Sequence, residues 1–218
     1  MSFLILGILL LCILVICFYR FYFLRKPQRK VPHDTTLFVS PANGKIISII
    51  QQNDLQDTQK CLYKNHRKVL DDRTQWFKNW TLISIMMTPL DVHFQKAPVD
   101  AKMLNLSYQK GSFRNAMKKD KNLTATFQNE YQTMFFETPD KTHFRIIQIA
   151  WFVARRIVSF LTLGQQVHQG EIIWLIKLGS QVSIVLDDHY EVIAKVWDTV
   201  IDGETILAKK NNRSSDVK

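Results

Sequence analysis

Apolar residues are spread unevenly along this chain, and the unevenness divides it. From Phe3 to Tyr19 no charged residue occurs, Leu, Ile, Val and Phe dominate, and apolar character resumes after Arg20 with Phe21, Tyr22, Phe23 and Leu24. About 17 to 25 such residues cross the hydrocarbon core of a bilayer as a helix. Residues 1–24 are therefore expected to form a single membrane anchor. Tyr19 and Tyr22 belong at headgroup level, with Arg20 snorkelling outward. A cleaved secretory signal would need a basic start and a small-residue cleavage site. Met1-Ser2-Phe3 offers no basic start, and the run ends in Phe, Tyr and Arg.

Past the anchor the pattern shortens to the period of strands. Residues 37–39 and 46–50 are β-rich runs around Pro41-Ala42-Asn43-Gly44, and Asn-Gly between such runs predicts a hairpin or tight turn. Residues 51–80 are polar with little periodicity and read as a long connection. Further strands are expected at 81–87, 124–127, 132–136 and 144–152, while the pattern over 153–160 fits helix or strand. The basic stretch 117–122 reads as a solvated face or a loop near headgroups. Near the C-terminus, Val167-His168-Gln169-Gly170-Glu171 and Val200-Ile201-Asp202-Gly203-Glu204 echo one another, each followed by an apolar run. Two Gly turns of this kind suggest a folded-over β module, as in lipoyl or biotinyl carrier domains. A carrier needs a lysine at a hairpin tip, whereas Lys177 runs straight into Leu178-Gly179-Ser180. Residues 209–218 read as a polar, frayed tail.

The formal net charge of +10 calls for an anionic partner, nucleic acid or an acidic membrane surface. Its distribution favours the membrane. Arg20, Arg25, Lys26, Arg29 and Lys30 precede the first acid, Asp34, and Pro27 and Pro32 mark residues 25–36 as a linker. Such a collar stays on the cytoplasmic side, and each cation near an anionic leaflet contributes about 1 kcal/mol. No nucleic-acid partner is needed to explain it. The three cysteines, Cys12, Cys17 and Cys61, form no disulfide framework or zinc spacing. No metal or nucleotide site is visible.

The chemistry-bearing candidates are His93, just past the 81–87 run, and Ser180 after Gly179. A lone His is more often structural than catalytic, and Gly-Ser before a strand is usually a turn. No G-x-S-x-G elbow, P-loop or H-E-x-x-H occurs. Taken jointly, however, Arg25-Lys26-Pro27-Gln28-Arg29, Ser40-Pro41-Ala42-Asn43-Gly44-Lys45, Thr88-Pro89-Leu90-Asp91-Val92-His93 and Ala97-Pro98-Val99-Asp100 stand in a characteristic order. Asn129-Glu130, Gln148-Ile149-Ala150, Ala154-Arg155-Arg156-Ile157, Lys177-Leu178-Gly179-Ser180 and residues 200–207 continue it. Over roughly residues 20 to 208 the chain resembles the short, pyruvoyl-dependent phosphatidylserine decarboxylases.

The resemblance implies a mainly β (α+β) domain, over residues 37–208, behind the N-terminal transmembrane helix. It also implies a proenzyme that cleaves its own Gly179–Ser180 bond. Ser180 would attack the preceding carbonyl to give an ester, and elimination would leave a pyruvoyl cofactor at the head of the small chain, 180–218. That ketone forms a Schiff base with phosphatidylserine and accepts electrons as carbon dioxide leaves, giving phosphatidylethanolamine. Asn43, His93 and Ser180 fall at the positions of the family's Asp-His-Ser set. His93 serves cleavage, decarboxylation or both, and Lys96 stands where longer members carry a second histidine. The implied partners are phosphatidylserine, anionic membrane lipids and the small chain itself, with homo-oligomerisation left open.

Four positions depart from the family pattern. Asn43 replaces an aspartate, an exchange that in serine proteases costs about ten-thousandfold in rate. Trp151, Trp174 and Ala101 stand where Gly is expected, so that a large ring either reshapes a pocket or fills a core gap. The competing reading is a non-cleaving relative that binds anionic lipid without forming pyruvoyl. For the anchor, membrane-extracted protein is expected to retain its first 20 residues; an N-terminal sequence that starts beyond them would replace the anchor with a processed signal.

Overall fold

The computed structural model describes residues 2–53, 72–74, 76–112, 124–150, 157–176 and 180–211. Outside them lie Cys61, most of the polar connection, the basic stretch 117–122, Trp151, Arg155 and Arg156, residues 177–179 and the end of the tail.

The apolar run forms helix α1 (Ser2–Cys17), continued by a π-helical turn (Phe18–Phe23). Together Phe3–Phe23 make 21 residues, long and apolar enough to span a membrane. Cys12 and Cys17 are exposed on it as free thiols.

The rest is mainly strand. Eight strands build one antiparallel sheet. In spatial order they are β13 (Thr199–Val200), β2 (Gly44–Gln51), β3 (Trp80–Met87), β11 (Ser180–Asp187), β7 (His143–Ile149), β6 (Tyr131–Glu137), β5 (Ala101–Gln109) and β9 (Gln166–Val167). Two three-stranded sheets accompany it. One is β1 (Leu37–Val39), β14 (Ile206–Lys210) and β12 (Tyr190–Val192); the other is β4 (Phe94–Lys96), β10 (Ile172–Ile176) and β8 (Ile157–Ser159).

Period-2 alternation decides what faces what. On the large sheet Ile46, Ile83, Ile85, Val182, Ile184, Phe144, Ile146 and Phe136 point to one side, where Phe38, Tyr190, Leu207, Ile173 and Trp174 of the small sheets meet them. Ile50, Leu82, Val185, Ile147 and Ile149 point to the other side and pack with Phe77, Trp80 and Phe127. Strand β7 is thus buried on both faces, and its buried polar members Arg145 and Gln148 are hydrogen-bonded, Arg145 to the Asp72 and Arg73 carbonyls and Gln148 to Gln95. Trp174, placed where the family pattern expects Gly, lies wholly inside the first cluster, 6.4 Å and edge-on to Phe136. It fills core.

Three expectations change. Residues 37–50 do not form a hairpin: β1 pairs with β14, while β2 pairs with β3 and β13. The Asn-Gly turn instead switches the chain between sheets, because burial of Phe38 and Ile46 from different layers outweighs local turn preference. The expected strand at 124–127 is a short helix, α2 (Thr124–Gln128), lying where Thr126 and Phe127 are buried against the large sheet. β-propensity read from Thr-rich sequence is easily overridden by such context. The two V-x-x-G-E echoes do not fold onto each other, since β9 and β10 pair with β5, β4 and β8, and β13 and β14 with β2, β1 and β12. They share a local design nonetheless: strand, left-handed glycine (Gly170 φ +84°, Gly203 φ +73°), Glu, strand.

Gly44 fixes the entry into β2. Its φ is +146°, and a Cβ there would overlap the Met86 carbonyl oxygen. Gly44→Ala is therefore expected to destabilise the domain by about 1–3 kcal/mol. A lower thermal midpoint of the detergent-solubilised protein checks this; an unchanged midpoint would mean that the turn relaxes freely.

Candidate active site

Three distant segments meet at one end of the large sheet. Strand β3 ends at Met87, β11 begins at Ser180 directly opposite it, and β2 begins beside them, with Lys45 opposite Met86. The loop carrying His93 leaves β3 at this end. Gln95, two residues past His93, donates from Nε2 to the Met87 sulfur at 3.8 Å and accepts from Gln148 at 2.8 Å. The sequence-predicted residues Asn43, His93 and Ser180 are thus brought to a common edge of the fold, Ser180 by its backbone register.

His93 is completely buried. Its Nδ1 lies 2.8 Å from the Asp91 carbonyl oxygen. A carbonyl only accepts, so Nδ1 carries the proton and Nε2 is left as the basic nitrogen of the neutral ring. The Asp91 carboxylate is engaged elsewhere, accepting from the Thr88 N–H at 2.7 Å and the Thr88 hydroxyl at 2.8 Å. This local turn presents the carbonyl to the imidazole. Burial pushes the His93 pKa down to about 4, against the opposing pull of Asp91. The ring is a neutral base at physiological pH.

The end of the apolar helix covers it. Phe23, the last residue of the π-helical turn, is fully buried, with its ring centroid 3.9 Å from that of His93. Burying a phenyl ring contributes roughly 1.5–3 kcal/mol. Tyr19 stacks on Phe23 at 5.3 Å, and the wide turn is closed by the Leu24 N–H donating to the Tyr19 carbonyl. Arg25 then covers the Tyr22 ring at 4.1 Å and donates to the Leu90 carbonyl at 2.7 Å, while Lys26 lies 4.5 Å from the Phe94 ring centre.

Asn43 faces a different set of groups. Its Oδ1 accepts the Asp202 N–H at 2.7 Å and Arg29 Nη2 at 3.3 Å. Arg29 in turn forks onto Asp202 Oδ1, Nη2 at 2.6 Å and Nε at 3.1 Å, with the carboxylate 1% exposed. Lys96 donates from Nζ to the Gly170 carbonyl at 3.0 Å. Burial pulls the Lys96 ammonium down and pushes the Asp202 carboxyl up, each countered by the other's charge. Sequence reasoning assigned Arg29 to the lipid surface and passed over Asp202. The signal was present in the echo, where an acid stands directly before a left-handed glycine.

A crevice of about 350 Å³ opens where β5 and β9 meet, lined by Asp100, Lys102, Glu137, Lys141 and His168 among others, and it contains none of the candidate residues.

Comparison with known proteins covers nearly all of this architecture. The family described as phosphatidylserine decarboxylase matches residues 17–208. A phosphatidylserine decarboxylase proenzyme of Wolbachia pipientis is 34% identical over 193 residues, covering 88% of this chain and 76% of that one. One from Chlorobaculum parvum is 34% identical over 197 residues, covering 90% and 81%. A putative archaetidylserine decarboxylase proenzyme of Methanothermobacter thermautotrophicus is 33% identical over 205 residues, covering 94% and 85%. A match that takes in the last turn of the anchor, the Asn43 turn, the His93 loop and all of β11 to β13 makes this chain a member of the phosphatidylserine decarboxylase family.

Proposed function

We propose that this protein is a membrane-anchored serine-phospholipid decarboxylase, acting on phosphatidylserine, that matures by cutting its own Gly179–Ser180 bond. The observation that carries the reading is His93: buried, neutral, with Nδ1 held by a carbonyl so that Nε2 is basic. It belongs to the loop that leaves β3 beside the first residue of β11.

In the proposed maturation the Ser180 hydroxyl attacks the Gly179 carbonyl carbon. The peptide C–N bond breaks and an ester forms, with His93 Nε2 moving the hydroxyl proton to the departing nitrogen. Loss of the residue-180 α-proton then breaks the Cβ–O bond and releases the Gly179 carboxylate. The remaining enamine takes up water and loses ammonia, leaving a ketone at the new end. That pyruvoyl group supplies the electron sink for decarboxylation. The surrounding residues suit such a group: His93 is held out of water by Phe23, with Nε2 as the basic nitrogen. Asn43 is the third residue of the proposed set and acts as a neutral bracket rather than a charge.

The cut would separate residues 1–179 from 180–218, yet β11 is paired with β3 and β7, β13 with β2 and β14 with β1. These ladders support a small chain that stays in place. Residues 1–24 serve as the anchor and 25–36 as the linker to the catalytic domain. Arg25, Lys26 and Lys30 near the bilayer favour the cytoplasmic face. A site roofed by the last turn of a membrane helix suits a substrate whose headgroup lies at that surface.

Two outcomes follow. Intact-mass analysis of membrane-purified protein is expected to give two chains, the smaller beginning at position 180 and blocked by a pyruvoyl that reacts with carbonyl-trapping reagents. A single chain with unmodified Ser180 would leave the non-cleaving, lipid-binding alternative. The rate of self-cleavage in freshly synthesised protein is expected to hold steady as pH falls through 6.5 and to reach half its plateau only near about 4, because Nε2 stays unprotonated until then. A midpoint near the ordinary histidine value would show that a solvent-exposed imidazole, or another base, takes the proton.

A further inference from the structure

Position 43 lacks the carboxylate that the family pattern expects there, but its surroundings do not lack one. Asp202 reaches the same spot from the second V-x-x-G-E turn. Its backbone N–H donates to Asn43 Oδ1 at 2.7 Å, and both side chains share Arg29 Nη2, at 2.6 Å from Asp202 Oδ1 and 3.3 Å from Asn43 Oδ1. The carboxylate is buried, and its Oδ2 has no hydrogen-bond partner among the described residues. A buried carboxylate with an open oxygen is costly unless cations face it. Two do. Arg29 takes Oδ1, and the Lys96 stem crosses the adjacent Gly203, where a Cβ would come within 2.8 Å of Lys96 Cδ. From there Lys96 reaches the Gly170 carbonyl in the first echo turn. Gly203 must be glycine twice over, for its φ of +73° and for the passage of this side chain.

We infer that Asp202 supplies the negative charge absent from position 43: it is a positioning residue that holds Arg29, and favours the ammonium of Lys96 through space, at the end of the sheet where β2 begins, β3 ends and β11 begins. Asn43 has become its bracket, fixing the Asp202 backbone through the 2.7 Å bond. A structural ion pair that merely steadies the linker would need no particular relation to Asn43. Here one amide oxygen joins the acid, its cation and the turn.

The inference deepens the proposed self-cleavage and rests on that reading for its kinetic test. In full-length protein, Asp202→Asn is expected to slow cleavage at least about tenfold. The double variant N43D/D202N returns the charge to position 43 and is expected to restore most of the rate. Wild-type cleavage in D202N, or no rescue in the double variant, would overturn the assignment. A second measurement does not depend on cleavage. In the Ser180→Ala background, pH-dependent labelling of Lys96 by an amine-reactive reagent, read by peptide mass spectrometry, gives its proton affinity. D202N is expected to lower the midpoint by about one pH unit and N43D/D202N to raise it again, since an adjacent carboxylate favours the ammonium. An unmoved midpoint would overturn the role of Asp202 whatever the rates. Absence of cleavage in the wild type would instead count against the proposed function alone.

Discussion

The fold around the site depends on one buried ion pair. Arg29 belongs to the segment that leaves the anchor and Asp202 to the turn before the last strand, 173 residues away, yet the two meet at 2.6 Å with almost no exposure. Removing one partner of such a pair leaves an uncompensated charge and typically costs about 3–5 kcal/mol. The pair also dictates a path. With Arg29 fixed, the Lys30 N–H donates to Glu204 at 3.0 Å, and Val31 packs against Gly170, where any side chain would overlap it. The linker therefore lies between the two echo turns as part of the domain. Upstream, the same constraint sets where the anchor ends and hence where Phe23 falls.

Much of the architecture was legible in the chain. The apolar N-terminal helix, the strands before and after Asn43, the 81–87 run and the two Gly turns all appear close to where the pattern puts them, because apolar runs, alternation and left-handed glycines are local signals. Pairing was not legible. The Asn-Gly turn looks like a hairpin from its own residues, and only the burial of Phe38 and Ile46 in different layers tells that it is a crossover. The Thr-rich segment at 124–127 reads as strand by propensity but is too short, and too tightly held by sheet neighbours, for propensity to decide.

The site was half legible for the same reason. His93 and Ser180 stand out only through the joint order of several motifs, and Asn43 because it breaks one of them. The tautomer of His93 was hidden, since it is set by a backbone carbonyl two residues away whose direction depends on the Thr88–Asp91 turn. Arg29 was misassigned to the lipid surface because a cation in a basic cluster ordinarily is solvated; its acid lies at the far end of the chain. Of the basic collar, Arg29 is spent inside the protein, while Arg25 and Lys26 lie over aromatic rings at the base of the anchor.

The contact between Phe23 and His93 gives the anchor a second identity. The helix that is long and apolar enough to span a membrane and the cover over the imidazole share one turn, so the two cannot be separated by trimming. A chain shortened to begin after Phe23 would not be the same domain set free in solution. It would be a domain with its lid removed: solvent would wet the ring from above, and the imidazole would regain its ordinary appetite for protons. The end of the apolar helix is part of the surroundings that keep the imidazole neutral.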